Sequence, residues 1–247
     1  MLGLPDTITT CLFDLDGVLT DTASVHRKAW KQTFDVFLQR RDGADFQPFD
    51  ASSDYNTYVD GKPREDGVRD FLASRDVHLP EGNPDDAPDA ETVHGVGSRK
   101  NALVHQAIER DGVNVYEGSR RYLQVAQDAG LRRYVVSSSA NTEMVLRVTG
   151  LDVYIEGRVD GKTLAEQGIK GKPAPDSFLA AAKLAGQTPA QCVVFEDATS
   201  GVAAAAAGHL GYVVGVDRVD HAQELTDHGA NIVVTDLSEL LDGESNA

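Results

Sequence analysis

Thr9-Thr10-Cys11-Leu12-Phe13-Asp14-Leu15-Asp16-Gly17 opens the chain with five β-prone or apolar residues that break into two acids and a turn glycine. A short continuous apolar run of this kind predicts a strand buried on both faces, as in a parallel sheet. Four later stretches repeat the pattern: Tyr134-Val135-Val136, Cys192-Val193-Val194-Phe195, Tyr212-Val213-Val214 and Ile232-Val233-Val234. Helical patterns alternate with them. Tyr122, Leu123, Ala126 and Ala129 fall on one helix face, and so do Phe178, Leu179, Ala182 and Ala185. Val202 with the alanines 203–207 forms a third helix, closed by Gly208. Strand and helix in alternation predict an α/β fold, a doubly wound parallel sheet of Rossmann-like type.

Between the first and second strands the β signal disappears. Ala29-Trp30, Phe34 and Phe37-Leu38 recur at helical spacing, as do Val68 with Phe71-Leu72 and Leu103 with Ala107-Ile108. Pro80 to Glu91 carries three prolines among acids and reads as a solvated loop. The chain therefore divides, by expectation, into an α/β core of residues 1–23 and 114–247 and an inserted α-helical domain of residues 24–113.

The sequence has 247 residues, with 23 Lys and Arg against 39 Asp and Glu and a net charge of −16. Such acidity repels phosphate backbones and anionic lipid, so neither nucleic acid nor a membrane is an expected partner. A small phosphorylated ligand needs only a local cation and is compatible with it. Cys11 and Cys192 lie inside apolar runs and read as core thiols in a reducing compartment. No basic segment leads into an apolar stretch, and no run has the length of a membrane span, so a cytoplasmic protein is expected, as a monomer.

In doubly wound sheets ligands bind beyond the carboxyl ends of the strands, and the polar residues cluster there. Asp14 and Asp16 follow the first strand, Ser137-Ser138-Ser139 the second, and Glu196-Asp197 a later one; Lys172 stands before a helix in Lys172-Pro173-Ala174-Pro175-Asp176. Each has a plain alternative: a turn, a cap, an exposed lysine. Four in chain order, each at a strand end or helix start, form a coherent chemistry. One carboxylate can attack phosphorus and hold it as an acyl phosphate, and a second can move the proton of the leaving or accepting oxygen. The crowded acids then call for a divalent cation and a lysine, and hard oxygen ligands favour Mg²⁺.

Asp14-x-Asp16-Gly17-Val18, Ser137, Lys172 and Glu196-Asp197 resemble the four motifs of the haloacid dehalogenase-like phosphotransferases, whose helical cap the insertion resembles. Thr20-Asp21-Thr22-Ala23, His26, Ala29-Trp30, Gly61-x-x-Arg64-Glu65-Asp66, Arg99-Lys100-Asn101, Ser137-x-Ser139-x-Asn141 and Lys172-Pro173-Ala174-Pro175-Asp176 narrow the likeness to the β-phosphoglucomutase branch of that family. The resemblance implies Asp14 as nucleophile and Asp16 as general acid and base. It implies a metal site of Asp14, Asp16 through its carbonyl, Asp197 and neighbouring Glu196, holding one Mg²⁺. Ser137, Ser138 and Lys172 would bind the transferring phosphate; Arg64, Ser139 and Asn141 the other one; His26 and Lys100 would couple cap closure to substrate and to Asp16, with Thr22 at the hinge. The implied reaction interconverts β-glucose 1-phosphate and glucose 6-phosphate through a glucose bisphosphate. Two positions depart from the pattern, Ala140 where the branch has a lysine and Pro63 where it has a serine, and the segment Arg158 to Gly171 is longer and more polar than it implies.

Two alternatives share most of these features. A sugar-phosphate phosphatase of the same family would use water in place of the sugar hydroxyl. A receiver-like signalling module also pairs a strand-end Asp with Ser and Lys, but leaves Asp16 and the insertion unexplained. Without the resemblance, His26 reads as a surface or interdomain residue and Arg64-Glu65-Asp66 as a solvated helix start. Trp30 reads as core. His78, His94, His105, His209, His221 and His228 show no metal-ligand spacing.

Overall fold

A computed structural model describes residues 2–241. Met1 and residues 242–247, which the expected core span includes, lie outside the described residues. The chain forms two compact units, one of residues 1–21 and 113–247 and one of residues 22–112.

The first unit is built on six parallel strands: β1 (Thr10–Phe13), β2 (Arg132–Val136), β3 (Gly157–Val159), β4 (Cys192–Glu196), β5 (Tyr212–Val216) and β6 (Ile232–Val234). Their spatial order, β3-β2-β1-β4-β5-β6, reverses direction at β1, which is where a doubly wound sheet opens its ligand crevice. β1 and β4 are buried along their whole length, as apolar runs covered on both faces must be. The helices of this unit are α4 (Glu117–Asp128), α5 (Thr142–Thr149), α6 (Gly161–Gln167), α7 (Asp176–Leu184), α8 (Thr199–Ala207) and α9 (Ala222–Asp227). Leu12, Val136, Val194, Phe178, Ala182 and Val202 belong to one core, and Phe13 stacks on Phe195 at 4.5 Å beside Tyr122.

The two expected helix faces need trimming. α4 ends at Asp128, so Ala129 is its exposed cap residue, and Leu179 points outward, 36% exposed, while Phe178, Ala182 and Ala185 are buried. Two elements of the unit carry no apolar signature. β3 is a three-residue edge strand whose Gly157 leaves room for the Tyr134 ring. α6 starts on the Asp160 side chain, which accepts the Thr163 N–H at 3.0 Å. They occupy much of the polar segment from Arg158 to Gly171.

The second unit consists of α1 (Ala23–Asp42), a single π-helical turn (Tyr55–Val59), α2 (Arg64–Ala73) and α3 (Val93–Asp111). Phe34 stacks with Trp30 at 5.0 Å and packs on Phe71 at 4.2 Å and Phe49 at 5.2 Å, giving an aromatic core where the helical spacing placed one. Pro80 to Glu91 forms a loop, pinned by Glu81 to Arg69 and by Asp86 to Thr92. No helix among the described residues is long and apolar enough to cross a membrane.

Candidate active site

Parallel strands that end together leave their last carbonyls and following side chains on one edge, and a single lysine joins three of these ends. Lys172, in the segment entering α7, places Nζ 2.5 Å from Asp14 Oδ1 after β1 and 3.1 Å from the Val136 carbonyl that closes β2. The same ammonium forms an ion pair with Glu196, the last residue of β4. All three charged side chains are buried. The bond between Lys172 and Pro173 is cis.

Burial pushes the Asp14 carboxyl well above its ordinary range; the Lys172 ammonium pulls it back, while Glu196 and Asp16 push the same way as burial. Burial alone would depress Lys172, but Asp14 and Glu196 outweigh it and hold the lysine above its usual value, so it remains an ammonium. One cation thus serves a group of acids, and the balance of charge is negative.

The acids are brought close by two glycines. Gly17 has φ +89°, and a Cβ there would lie 1.7 Å from Asp197 Oδ2, so the Asp197 carboxylate rests directly on the Gly17 backbone. Gly201, in the first turn of α8, has the same role for Glu196, whose carboxyl carbon would lie 2.0 Å from an added Cβ. After Asp16 the chain is fixed by Gly17 N–H donating to the Thr20 carbonyl at 2.7 Å and by Ser119 Oγ donating to the Val18 carbonyl at 2.7 Å.

Ser137 is buried just beyond β2, with its hydroxyl oxygen accepting the Ser139 N–H at 3.1 Å. Ser139 Oγ in turn accepts the Asn141 N–H at 3.2 Å, which shapes the turn into α5 with Ser138 and Ala140 between them. Gly161 permits this turn: a Cβ would lie 2.6 Å from the Ser138 carbonyl.

In the helical unit, Thr22 is buried at the start of α1 and its carbonyl accepts the His26 N–H at 2.9 Å. His26 Nδ1 lies 2.6 Å from Lys100 Nζ on α3, and that ammonium sits 5.0 Å from the Trp30 ring centre. The structure therefore assembles His26 and Lys100 into one cluster. Arg64 begins α2 and turns its Nε and Nη2 onto Glu65 Oε1, at 2.8 and 2.6 Å, while Gly97 lets α3 approach it.

Sequence reasoning missed a ring of groups behind the acids. Arg218 Nε donates to the Gly17 carbonyl at 2.8 Å, and His221 Nε2 lies 2.9 Å from the Asp197 carbonyl. His221 shows no metal-ligand spacing in the sequence; its neighbour is a backbone oxygen, which no motif of side chains announces.

Among the described residues no group of three or more His, Cys, Asp or Glu side chains is arranged to hold a metal. A site of two carboxylates and one carbonyl is a different pattern, and it suits Mg²⁺, which keeps several waters and takes one or two protein carboxylates. The excess negative charge about Asp14 and the packing of Asp197 on Gly17 fit such a cation.

A family model described as haloacid dehalogenase-like hydrolase matches residues 8–209. The chain belongs to that family. It is 58% identical over 247 residues to the β-phosphoglucomutases of Mycobacterium bovis and Mycobacterium tuberculosis, covering 98% of this chain and 94% of theirs. A solved hydrolase from Pseudomonas syringae superposes with a TM-score of 0.78 at 22% identity, covering 95% of this chain and 97% of its own. The β-phosphoglucomutase of Clostridium difficile does so with a TM-score of 0.73 at 24% identity, covering 94% and 93%. These two share the fold. With the mycobacterial identity, the chain is an enzyme, a phosphotransferase of the haloacid dehalogenase-like family.

Proposed function

We propose that the chain is a Mg²⁺-dependent phosphosugar mutase that interconverts β-D-glucose 1-phosphate and glucose 6-phosphate through an aspartyl-phosphate enzyme and a glucose bisphosphate. The observation that carries this reading is the 58% identity to β-phosphoglucomutases along 94% of their length. The placement of Asp14 against Lys172 supports it.

Asp14 is the nucleophile. Its oxygen bonds to phosphorus as the bond from phosphorus to the sugar oxygen breaks, and Asp16 gives a proton to that oxygen. In the opposite sense Asp16 takes the proton of a sugar hydroxyl as it attacks the phosphorylated Asp14. Starting from the phosphorylated enzyme, the 6-hydroxyl of glucose 1-phosphate accepts the group; the bisphosphate reorients, its 1-phosphate returns to Asp14, and glucose 6-phosphate leaves. Lys172, Ser137 and Ser138 hold the transferring oxygens, where fixed donors stabilise developing charge. Asp14, the Asp16 carbonyl and Asp197, with Glu196 beside them, hold Mg²⁺, which supplies charge neutralisation at the phosphoryl oxygens. Arg64, Ser139 and Asn141 hold the phosphate that is not transferred; His26 and Lys100 act on the substrate side, and Thr22 is the hinge between the α/β core and the helical cap.

A phosphatase is the second reading, and the engagement of Arg64 by Glu65 favours it, because a distal phosphate must compete with that carboxylate. The test is ³¹P NMR of the product from β-glucose 1-phosphate with Mg²⁺ and a trace of glucose 1,6-bisphosphate. The mutase forms glucose 6-phosphate; inorganic phosphate in its place selects the phosphatase.

A further inference from the structure

We propose that the loop after β5, residues 217–221, is a positioning clamp that sets the two acid-bearing loops of the site against each other, Arg218 acting on the Gly17 carbonyl and His221 on the Asp197 carbonyl. The proposal rests on the reading of Asp14, Asp16 and Asp197 as the Mg²⁺ site, and it concerns residues that touch neither substrate nor metal.

The contacts converge from one short segment. Arg218 donates through Nε to the Gly17 carbonyl at 2.8 Å and through Nη1 to the Thr235 carbonyl at 2.6 Å, with its guanidinium 3.6 Å from the centre of the Tyr116 ring. Fork and stack fix the group in direction as well as distance. Three residues on, His221 Nε2 is 2.9 Å from the Asp197 carbonyl and Nδ1 is 3.0 Å from Asp217 Oδ1. Asp217 makes the segment rigid: its carboxylate accepts the N–H groups of Val219, His221 and Ala222 at 3.1, 3.0 and 3.2 Å. Its own N–H is donated to the Val234 carbonyl at 2.8 Å, which ties the loop to β6.

Position matters here because Asp197 and Gly17 meet without room for a methyl group. A slip of either loop would change the approach of the Asp197 carboxylate to the Gly17 backbone. Groups that orient metal ligands from behind govern affinity for the metal more than affinity for substrate. A loop that merely supported α9 and β6 would have no reason to spend its guanidinium and imidazole on Gly17 and Asp197.

The test is Mg²⁺ binding by calorimetry on the full chain, with melting temperatures and steady-state kinetics at saturating Mg²⁺. Arg218→Ala and His221→Ala should each weaken Mg²⁺ by about tenfold, the lower end for groups behind metal ligands. The double variant should lose about thirtyfold and not a hundredfold, since the two act through one loop. KM for the sugar phosphate should stay within about twofold in each, as an effect on orientation and not on substrate binding requires. His221→Gln, whose amide N–H can stand where Nε2 stands, should recover Mg²⁺ binding to within about threefold of wild type. Arg218→Lys keeps a donor but loses the fork and stack, so about a threefold loss is expected, and it carries the test if the alanine variants do not fold. Unchanged Mg²⁺ affinity in Arg218→Lys and in any folded alanine variant overturns the clamp. So does a loss in His221→Gln equal to that of alanine, or wild-type protein that binds no Mg²⁺. Wild-type protein that binds Mg²⁺ but forms no glucose 6-phosphate counts against the mutase and leaves the clamp standing.

Discussion

Each unit of this enzyme buries a lysine, and the two meet different kinds of side chain. Lys172 lies in the sheet unit against Asp14 and Glu196, two carboxyl groups. Lys100 lies in the helical unit with His26 Nδ1 at 2.6 Å and the Trp30 ring at 5.0 Å, an imidazole and an aromatic face. The first arrangement is electrostatically committed: one cation faces two acids, and removing the cation leaves buried acids without a partner charge between them. The second includes a contact with a ring quadrupole, weaker in itself than a contact with a carboxylate. The strand-end cation thus sits between two carboxyl groups, whereas the helical unit sets its cation against an imidazole and an aromatic ring.

The largest expected effect breaks the first arrangement. Lys172→Met leaves Asp14 and Glu196 buried with no ammonium between them, which costs about 3–5 kcal/mol of stability by the usual penalty for breaking a buried pair. Turnover should fall by at least about a thousandfold as well, because the transferring phosphate loses its fixed donor. Urea melts and product assays read the two losses separately; a variant as stable as wild type refutes the charge commitment of the strand ends.

Asp14→Asn divides those two losses. With the proposed nucleophile removed, turnover should fall by at least about a thousandfold. Stability should move the other way in Mg²⁺-free buffer, and the sign follows from the carboxyl. Burial, with Glu196 and Asp16, raises Asp14 above its unfolded value. A group raised in this way contributes stability below its unfolded pKa and loses it as pH rises through the folded one. The asparagine variant lacks that loss, so its melting temperature should gain on wild type as pH increases, and adding Mg²⁺ should narrow the gap. A gap that narrows with rising pH in chelator contradicts the crowding of the acids.

The strand ends were legible in the sequence because β1, β2, β4 and β5 hold short apolar runs followed by acids or serines, the pattern that burial on both faces demands. β6 is instead an apolar run at the sheet edge with Ile232 38% exposed. β3 was not legible: as a three-residue edge strand, Gly157–Val159, it needs no such run. α6 follows a polar cap and exposes most of its length. Arg218 and His221 escaped for a different reason. Their partners are backbone carbonyls 201 and 24 residues away, so neither a periodicity nor a spacing of side chains records them. In the helical unit the aromatic stripe of Trp30, Phe34 and Phe37 was plain, but the turning of Arg64 onto Glu65 was not, since adjacent charges on a helix do not ordinarily face each other.

Arg64 tests whether the helical unit takes part in selecting the reaction. Replacing it by alanine removes a charge-assisted contact worth about 2 kcal/mol, so isomerisation should fall by about thirtyfold. Hydrolysis of a monophosphate with no second anchor should change much less. The ratio of glucose 6-phosphate to inorganic phosphate therefore falls, and Lys does not restore it fully because an ammonium lacks the fork. An unchanged ratio removes Arg64 from the distal phosphate and favours the phosphatase.

The smallest effect is expected at Lys100, and it is the sharpest test of the contrast. Lys100→Met keeps most of the side-chain volume, and a thioether makes its own favourable contact with the Trp30 ring. The cation–aromatic contribution it replaces is about 0.5–2 kcal/mol, and part of it returns with the sulfur, so stability should change by less than about 1 kcal/mol. No proposed nucleophile or metal ligand is lost, so turnover should fall far less than in Lys172→Met while KM for the sugar phosphate rises by about fivefold, the cost of one weak polar contact. The comparison with Lys172→Met is made on the same substitution, read by the same melts and the same assay. If the two variants lose stability and turnover alike, both lysines are committed by charge and the distinction between the units fails. If Lys100→Met leaves KM untouched, the cluster of His26, Lys100 and Trp30 is only a packing device of the helical unit, and the substrate side of the site must be sought on other residues.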